Sequence, residues 1–251
     1  MRLELDHVFV CAARGAPEAE RLVAAGFTEG APNEHPGQGT ACRRFGFANA
    51  MVELLWVSDE VEARGGTARR TMLWERWSQR RTGASPFGVC LRPAAEANSA
   101  APFAGWSYEP EYLPAPLTMH IGDAGTEEPM WVYLRFLSRR LREQWFVPHG
   151  NGARTITGLT LVTPAPFGSE ASRRVVEDGV LTVVAGEEHL MRIELDGAVR
   201  GERVDLRPAL PLVFVRCGCM TGAPGGQYMA EGTVLLRLGR QTSITCSQMS
   251  N

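Results

Sequence analysis

A histidine and a glutamate in strand-like stretches are the first residues of the chain that could do chemistry. His7 lies in LELDHVFV (3–10), and Glu53 lies among six apolar residues in MVELLWV (51–57). A buried, ionised carboxylate costs several kcal/mol unless it is paired, hydrogen-bonded or bound to a cation. Glu53 therefore requires a partner, and His7 in the first strand is the obvious candidate.

A third candidate, Glu194, lies in the strand-like run HLMRIEL (189–195). An imidazole and two carboxylates on apolar strands suit a divalent metal such as Fe(II), Mn, Ni or Zn, with positions left open for substrate oxygens. Such a cation could act as a Lewis acid on a carbonyl or enediolate, or bind dioxygen. The alternative is that His7 and Glu53 hydrogen-bond one another as a buried structural pair.

His35 opens the turn-forming run His-Pro-Gly-Gln-Gly-Thr (35–40). The glycines allow positive φ values and a close approach of the backbone to a ligand. His35 is therefore either an acid or base at the rim of a pocket, or a turn residue that satisfies local backbone groups.

Arginine and tryptophan side chains are the candidates for binding a substrate. Arg43 and Arg44 are neighbours on a strand, so at most one of them points inward. An inward Arg44 would hold an anionic group, whereas the alternative is a surface ion pair. Trp56 and Trp74 are either walls of a flat apolar pocket or part of the core.

These residues lie in a chain that reads β-α-β-β-β up to residue 57. The strand at 3–10 is followed by a helix near 17–26, a short strand at 27–30, and an antiparallel pair at 41–47 and 50–57. A β-α-β-β order returns after residue 155, with a helix at 169–177. Two copies of one unit predict a duplicated α+β architecture.

Four segments follow from these patterns. Residues 1–58 form a first module and residues 59–148 a connecting helix with a second strand-rich module. Residues 149–216 form a third module, and residues 217–251 a peripheral or disordered tail. Within the second segment we expect an irregular connection over 93–116 and a short helix or turn over 137–144.

The first segment resembles the glyoxalase-like branch of the vicinal oxygen chelate (VOC) superfamily. The resemblance depends on Asp6-His7 in the first strand, on the run HPGQGT, and on the strand that ends Glu53-Leu54-Leu55. It implies repeated β-α-β-β-β modules whose curved mixed sheets close into a half-barrel around an active site. It covers residues 3–57 well, 84–136 moderately and 155–197 thinly.

The resemblance also implies a metal site with ligands on the first and last strands of each module. The first module supplies His7 and Glu53, and the matching positions of the last module are Leu159 and Glu194. Leucine cannot bind a metal, so at most three of the four protein ligands are present. The implied function is a small-molecule enzyme of the lyase, isomerase or dioxygenase type. The alternative is a non-catalytic protein that sequesters a small molecule.

Composition excludes several other classes. The chain has 251 residues, 44% of them apolar, and a net charge of −2, and all 26 basic residues are arginines scattered among acids, so no nucleic-acid surface is evident. No run approaches the roughly 20 apolar residues of a membrane span, and the start lacks a signal-peptide pattern, so we expect a cytoplasmic protein. The absence of lysine is typical of the coding bias of a GC-rich bacterial genome, so we expect a bacterial source. The six cysteines are too irregularly spaced for a disulfide framework. No nucleotide-binding motif is present, so no nucleotide cofactor is predicted. A homodimer is expected because modules of this kind often pair between chains.

Overall fold

The computed structural model describes residues 2–94, 100–137, 146–196 and 203–216. The strands are β1 (Leu3–Cys11), β2 (Asn33–His35), β3 (Thr40–Gly46), β4 (Met51–Val57), β5 (Phe87–Pro93), β6 (Gly105–Tyr108), β7 (Met119–Gly122), β8 (Met130–Tyr133), β9 (Ile156–Thr163), β10 (Thr182–Ala185), β11 (Leu190–Leu195), β12 (Arg203–Asp205) and β13 (Leu212–Arg216). The helices are α1 (Ala19–Ala24), α2 (Glu60–Ala63), a 3₁₀ helix (Ala68–Thr71), α3 (Leu73–Ser78) and α4 (Glu170–Glu177).

Glycine and capping side chains mark the boundaries of three helices. Gly26, just past α1, has a φ of +82°, which glycine adopts without a steric penalty. Asp59 caps α2 by accepting a hydrogen bond of 2.8 Å from the backbone N–H of Val61. Ser169 caps α4 in the same way, with 3.1 Å to the N–H of Ser172. These caps fix the points at which the chain leaves and re-enters the sheets.

The first eight strands form one large sheet in the order β2-β3-β4-β1-β5-β8-β7-β6. Strands β1–β4 make up the first module, and β5–β8 make up the second. The two modules meet where β1 runs antiparallel to β5, while each of these strands runs parallel to the last strand of its own module. The order of the second module is therefore the mirror of the first across the β1–β5 junction.

The remaining five strands form a small sheet in the order β10-β9-β11-β13-β12. Its apolar side chains, among them Leu161, Met191 and Ile193, join one core with Val8 and Val52 of the large sheet. The small sheet thus covers the rear face of the large one. A second core cluster, which includes Phe9 and Leu55, lies on the opposite, curved face of the large sheet.

Most predicted elements are present, with shifted bounds in places. The short strand lies at Asn33–His35 instead of 27–30, because Phe27 turns inward to pack on Phe45 and Phe47. The region expected to be irregular contains β6, and the third segment adds β12 and β13 to the strands that were predicted. The predicted helix at 137–144 falls mostly outside the described residues, and the tail at 217–251 falls wholly outside them.

Candidate functional site

A cavity of about 240 Å³ opens on the curved face of the large sheet. This size lies just below the roughly 300–1,000 Å³ of typical ligand pockets, so the cavity suits a small ligand. The polar and ionisable lining residues of the first module are Asp6, His7, Asn33, His35, Gln38, Arg44 and Glu53. The second module contributes the thiol of Cys90, the phenol of Tyr112 and an otherwise apolar lining.

His7 reaches the cavity through an irregularity in β1. Leu5 pairs with Leu91 and His7 pairs with Cys90, so Asp6 is the extra residue of a bulge. The bulge lets Asp6 and His7 line the same cavity, although neighbours on a regular strand point to opposite faces. His7 Nδ1 lies 2.7 Å from Asp6 Oδ1, which fixes the orientation of the imidazole ring.

Asp6 is itself held from behind by a buried arginine. The Arg92 Nη1 lies 3.3 Å from Asp6 Oδ2, and both side chains are almost fully buried. The Arg92 Nη2 also donates a hydrogen bond of 3.1 Å to Glu4 Oε2. The acidic group that orients His7 therefore belongs to a fixed network at the junction of the two modules.

His7 has an unusual charge environment. Burial by itself would lower the pKa of His7, but the neighbouring Cys90 and Glu53 groups outweigh it and raise the pKa to about 9. His7 also forms a side-chain hydrogen bond with Cys90. At neutral pH the imidazole is therefore a cation that donates hydrogen bonds into the cavity.

Glu53 lies on the same side of the sheet as His7. In the parallel pairing of β1 with β4, His7 is opposite Met51 and Glu53 is opposite Phe9, which places both ionisable side chains on one face. Only 6% of Glu53 is exposed. Its carboxylate contacts the thiol of Cys42, and burial followed by this carboxylate raises the pKa of Cys42 above its ordinary value. Glu53 thus interacts with the Cys42 thiol and the His7 imidazole while still lining the cavity.

The side chains of the two adjacent arginines of β3 point to opposite faces of the sheet, as strand alternation requires. Arg44 is opposite Glu53 in the pairing with β4 and lines the cavity, and its Nε donates a hydrogen bond of 2.7 Å to the carbonyl of Ala31. Arg43 points the other way, where its Nε lies 2.7 Å from Glu29 Oε1. Arg44 is therefore the arginine that could bind an anionic or carbonyl oxygen of a ligand.

His35 lines the cavity but is fully engaged with the protein. Its Nδ1 lies 2.9 Å from Thr40 Oγ1, and its Nε2 accepts a hydrogen bond of 2.9 Å from Asn33 Nδ2. Burial is the main reason that the pKa of His35 lies below its ordinary value. Gly39, which has a φ of +69°, is packed against the start of α2 instead of a ligand. His35 is thus a neutral residue that shapes the turn.

Three predicted site residues lie elsewhere. Trp56 alternates with Leu55 on β4 and packs against the rear core, so it faces away from the cavity. Trp74 lies on α3 against Trp77 and Arg64, while Leu73 of the same helix reaches the cavity. Glu194 belongs to the small sheet.

The expected pairing of the first module with the third is corrected by the sheet topology. Leu159 is opposite Ile193, so it shares the buried face with that residue, whereas the next residue, Glu194, points to the other face and forms an ion pair with Arg192 at 3.2 Å. The counterpart of His7 across the β1–β5 junction is Cys90. Cys90 is opposite Val132, so the counterpart of Glu53, two residues further on, is Leu134.

This donor set does not fit the four-ligand metal site that the resemblance implies. Of the four corresponding positions, two hold His7 and Glu53, and the other two hold a thiol and a leucine. Within the described ranges, no three histidine, cysteine, aspartate or glutamate side chains come together to hold an ion. We therefore derive no step through a metal.

Several cavity residues were missed by sequence reasoning. Cys90 sits in a strand that was predicted correctly, and only the pairing of that strand with β1 shows that it meets His7. Tyr112 comes from a region with no periodic pattern, yet its ring packs 4.7 Å from that of His35 and its hydroxyl donates to Gln38 Oε1 at 3.3 Å. Burial holds the pKa of Tyr112 well above its ordinary value, so the phenol stays neutral.

The second module supplies an apolar wall opposite these polar groups. This apolar wall consists of Met119, Met130, Val132, Leu134, Phe136 and Leu137. A larger cavity of about 440 Å³ lies nearby and contains Arg76, but that guanidinium is occupied by the carbonyls of Ser85 and Gly125 among others, at 3.1 Å each. The smaller cavity, which joins acid, base and apolar wall, is the better candidate site.

The known family that matches this sequence is described as the glyoxalase-like domain, and the match spans residues 5–177. The chain belongs to this glyoxalase-like family. The resemblance to the VOC superfamily and the expected α+β half-barrel of curled mixed sheet are thereby confirmed. This family membership makes the chain a small-molecule enzyme or binding protein and does not specify an activity.

Other comparisons give less. None of the curated proteins matches the sequence. Among solved structures, the crystal structure of a hypothetical protein from Staphylococcus aureus is similar, with a TM-score of 0.49 and 12% identity, over 85% of this chain and 99% of that one. Within the described ranges, no helix is long and apolar enough to cross a membrane.

Proposed function

We propose that this glyoxalase-like protein is a small-molecule enzyme that moves a proton on the carbon next to a carbonyl group. The observation that supports this most is the meeting of His7, Glu53 and Arg44 at the polar end of a cavity whose other end is apolar. A carboxylate beside a cationic imidazole is the pair that such a proton transfer needs. The reaction would be of the isomerase or lyase type.

Each residue has a separate part in this reaction. Glu53 takes the proton from carbon and returns it, either to the same carbon or to a neighbouring one. His7, whose pKa is raised to about 9, donates a hydrogen bond to the oxygen on which negative charge develops. Arg44 holds a second polar group of the substrate, such as a carboxylate.

The substrate should be amphipathic because the cavity has a polar end in the first module and an apolar wall in the second. Its carbonyl end would lie among the polar side chains of the first module, and a short hydrocarbon part would lie on the apolar wall. Burial of each methylene on that wall contributes about 0.8 kcal/mol to binding. Linear 2-oxo acids of roughly four to eight carbons have a polar end and a hydrocarbon end, and they fit a cavity of about 240 Å³.

Deuterium exchange tests the proposal even though the natural substrate is not identified. The protein is incubated in D₂O with the 2-oxo acid series, and deuterium at carbon 3 is followed by nuclear magnetic resonance. We expect catalysed exchange that improves with chain length. The Glu53→Gln variant should lose roughly 10²- to 10⁴-fold, which is the usual contribution of a positioned base. The matched control is Glu194→Gln, which should exchange at the wild-type rate.

The competing function is sequestration of a small molecule without turnover, and the apolar wall favours it. Calorimetric titration with the same compounds separates the two. Tight binding with no exchange above the buffer rate would replace the enzyme by a binding protein. Neither binding nor exchange across the series would reject both functions for this class of compound.

A further inference from the structure

The thiol of Cys90 is a nucleophile in the cavity that the proton-transfer proposal does not use. It lies on β5, directly opposite His7 of β1, where the two modules meet. Only 4% of Cys90 is exposed, yet it lines the cavity beside the imidazole. A ligand bound on the apolar wall would therefore lie next to a sulfur nucleophile.

The neighbours of Cys90 form a chain of three side chains. Cys90 shares a hydrogen bond with His7, and Asp6 Oδ1 lies 2.7 Å from the Nδ1 of the same ring. Arg92 fixes Asp6 in turn. A nucleophile that contacts a base, with the base oriented by a third group, is the arrangement that activates thiols in covalent catalysis.

The other two cysteines in the described ranges lack this arrangement. Cys11, further along β1 on the same face as His7, is packed in the core, and burial raises the pKa of its thiol to about 12. Cys42 is fully buried and contacts the carboxylate of Glu53, which disfavours a thiolate. Cys90 is distinguished from both because its neighbour is an imidazole.

We propose that Cys90 is a nucleophile, with His7 as the group that holds its proton, and that it adds reversibly to amphipathic α,β-unsaturated carbonyl compounds. The proton that Cys90 shares with His7 is held on the imidazole, which is cationic at neutral pH, and Sγ forms a bond to the β-carbon of the alkene. The electron pair of the double bond moves toward the carbonyl, and the proton held by His7 is then delivered to the α-carbon. Reversal breaks the same bond, so no further reactant is required.

The inference uses the cavity of the proposed function but extends beyond it. Proton transfer by Glu53 requires no covalent bond, whereas this reaction requires no Glu53. The substrate class is correspondingly narrower, since the carbonyl must be conjugated with a double bond. The hydrocarbon part of such a compound would again lie on the apolar wall.

Maleimides test this proposal because they are α,β-unsaturated carbonyl compounds. The full chain at pH 7 is treated with N-ethylmaleimide or N-hexylmaleimide, and each cysteine is followed by peptide mapping with mass spectrometry. We expect Cys90 to react before Cys11 and Cys42, and the hexyl compound to react faster at Cys90 than the ethyl compound. Glutathione, which has no apolar wall, provides the reference ratio for the two reagents.

Variants identify the base. His7→Gln should slow the alkylation of Cys90 by about tenfold or more, because Cys90 loses the cationic imidazole that holds its proton. Cys11→Ala is the matched control and should leave the Cys90 rate unchanged. Circular dichroism of each variant shows whether it is folded, and the order of reaction in the wild type needs no variant at all.

Two results would overturn the proposal. Alkylation of Cys90 no faster than that of Cys11 and Cys42 in the wild type would be one. An unchanged Cys90 rate in folded His7→Gln would be the other. Failure here together with Glu53-dependent deuterium exchange would leave the proposed function standing, whereas rapid Cys90 alkylation without that exchange would leave only the covalent chemistry.

Discussion

The two modules of the large sheet have the same strand order but different faces toward the cavity. In the first module the positions next to the β1–β5 junction hold His7 and Glu53, and in the second they hold Cys90 and Leu134. Their rear faces are alike, since both are packed with fully buried aliphatic and aromatic side chains. The packing that builds the half-barrel is therefore kept in both modules, while the chemistry of the cavity is concentrated in one of them.

This difference explains why the cavity has a polar end and an apolar end. A module with two donors opposite an equal module would enclose a cation. A module with two ionisable groups opposite a thiol and a leucine instead encloses an amphipathic molecule. Three sets of substitutions and titrations test this contrast between the modules, and the largest effect is expected at the cavity itself.

Restoring the symmetry of the cavity should create a metal site. In the double variant Cys90→His/Leu134→Glu, the second module has the same two donors as the first, so four ligands would face one another. We expect near-stoichiometric Zn²⁺, Mn²⁺ or Ni²⁺ by elemental analysis and a dissociation constant of about 1 μM or lower, equivalent to roughly 8 kcal/mol.

The control for this change is Leu159→His, which adds a histidine to the pairing that the sequence suggested. Leu159 and Glu194 point to opposite faces of the small sheet. This variant should therefore bind no more metal than the wild type. Stoichiometric metal in the wild type itself, lost in Glu53→Gln, would contradict our assignment of the donor set.

The rear faces of the two modules should respond equally to truncation. Leu54 of the first module and Leu91 of the second are both fully buried in the same core cluster. Leu54→Ala and Leu91→Ala should each lower the free energy of unfolding by about 2–5 kcal/mol, because each leaves a cavity in close-packed surroundings. Urea denaturation measures both. A near-neutral result at one position would show that the modules are not packed alike.

The pKa values of two histidines of the first module should be shifted in opposite directions from the ordinary value. Nuclear magnetic resonance should place the pKa of His7 near 9 and that of His35 below 6.5. Because the folded-state pKa of His7 is raised, its contribution to stability is complete below about pH 6.5 and is lost as the pH rises through about 9. We expect this loss to be roughly 1–3 kcal/mol in the free energy of unfolding.

Substitution separates the causes of the His7 shift. Glu53→Gln should lower the pKa of His7, since it removes a negative neighbour, and His7→Gln should flatten the alkaline side of the stability profile. Asn49→Ala, at the loop between β3 and β4, removes a side chain that bonds the backbone of Ile156 and should leave the titration of His7 unchanged. A pKa of His7 at or below 6.5 in the wild type would contradict the charge environment described for the cavity.

Much of the first module could be predicted from the sequence. The strands that carry His7 and Glu53 were predicted from their largely apolar runs, whereas the bulge at Asp6 that brings Asp6 and His7 to one cavity was not. Strand alternation alone implied that only one of Arg43 and Arg44 points inward. The tryptophans were harder, because a large aromatic residue suits a pocket wall and a core equally well, and only the alternation of Trp56 with Leu55 decides the matter.

Most of the apolar strands, helices α1 and α4 and the family could be inferred from the sequence, because these depend on local periodicity and on short motifs. The identity of neighbouring strands came from the tertiary structure. Register is set by long-range pairing, and a sequence does not display which of two later modules will pack beside β1. The tertiary pairing replaced Leu159 and Glu194 by Cys90 and Leu134, and with that change the expected metal centre became a polar-to-apolar cavity with a thiol at its middle.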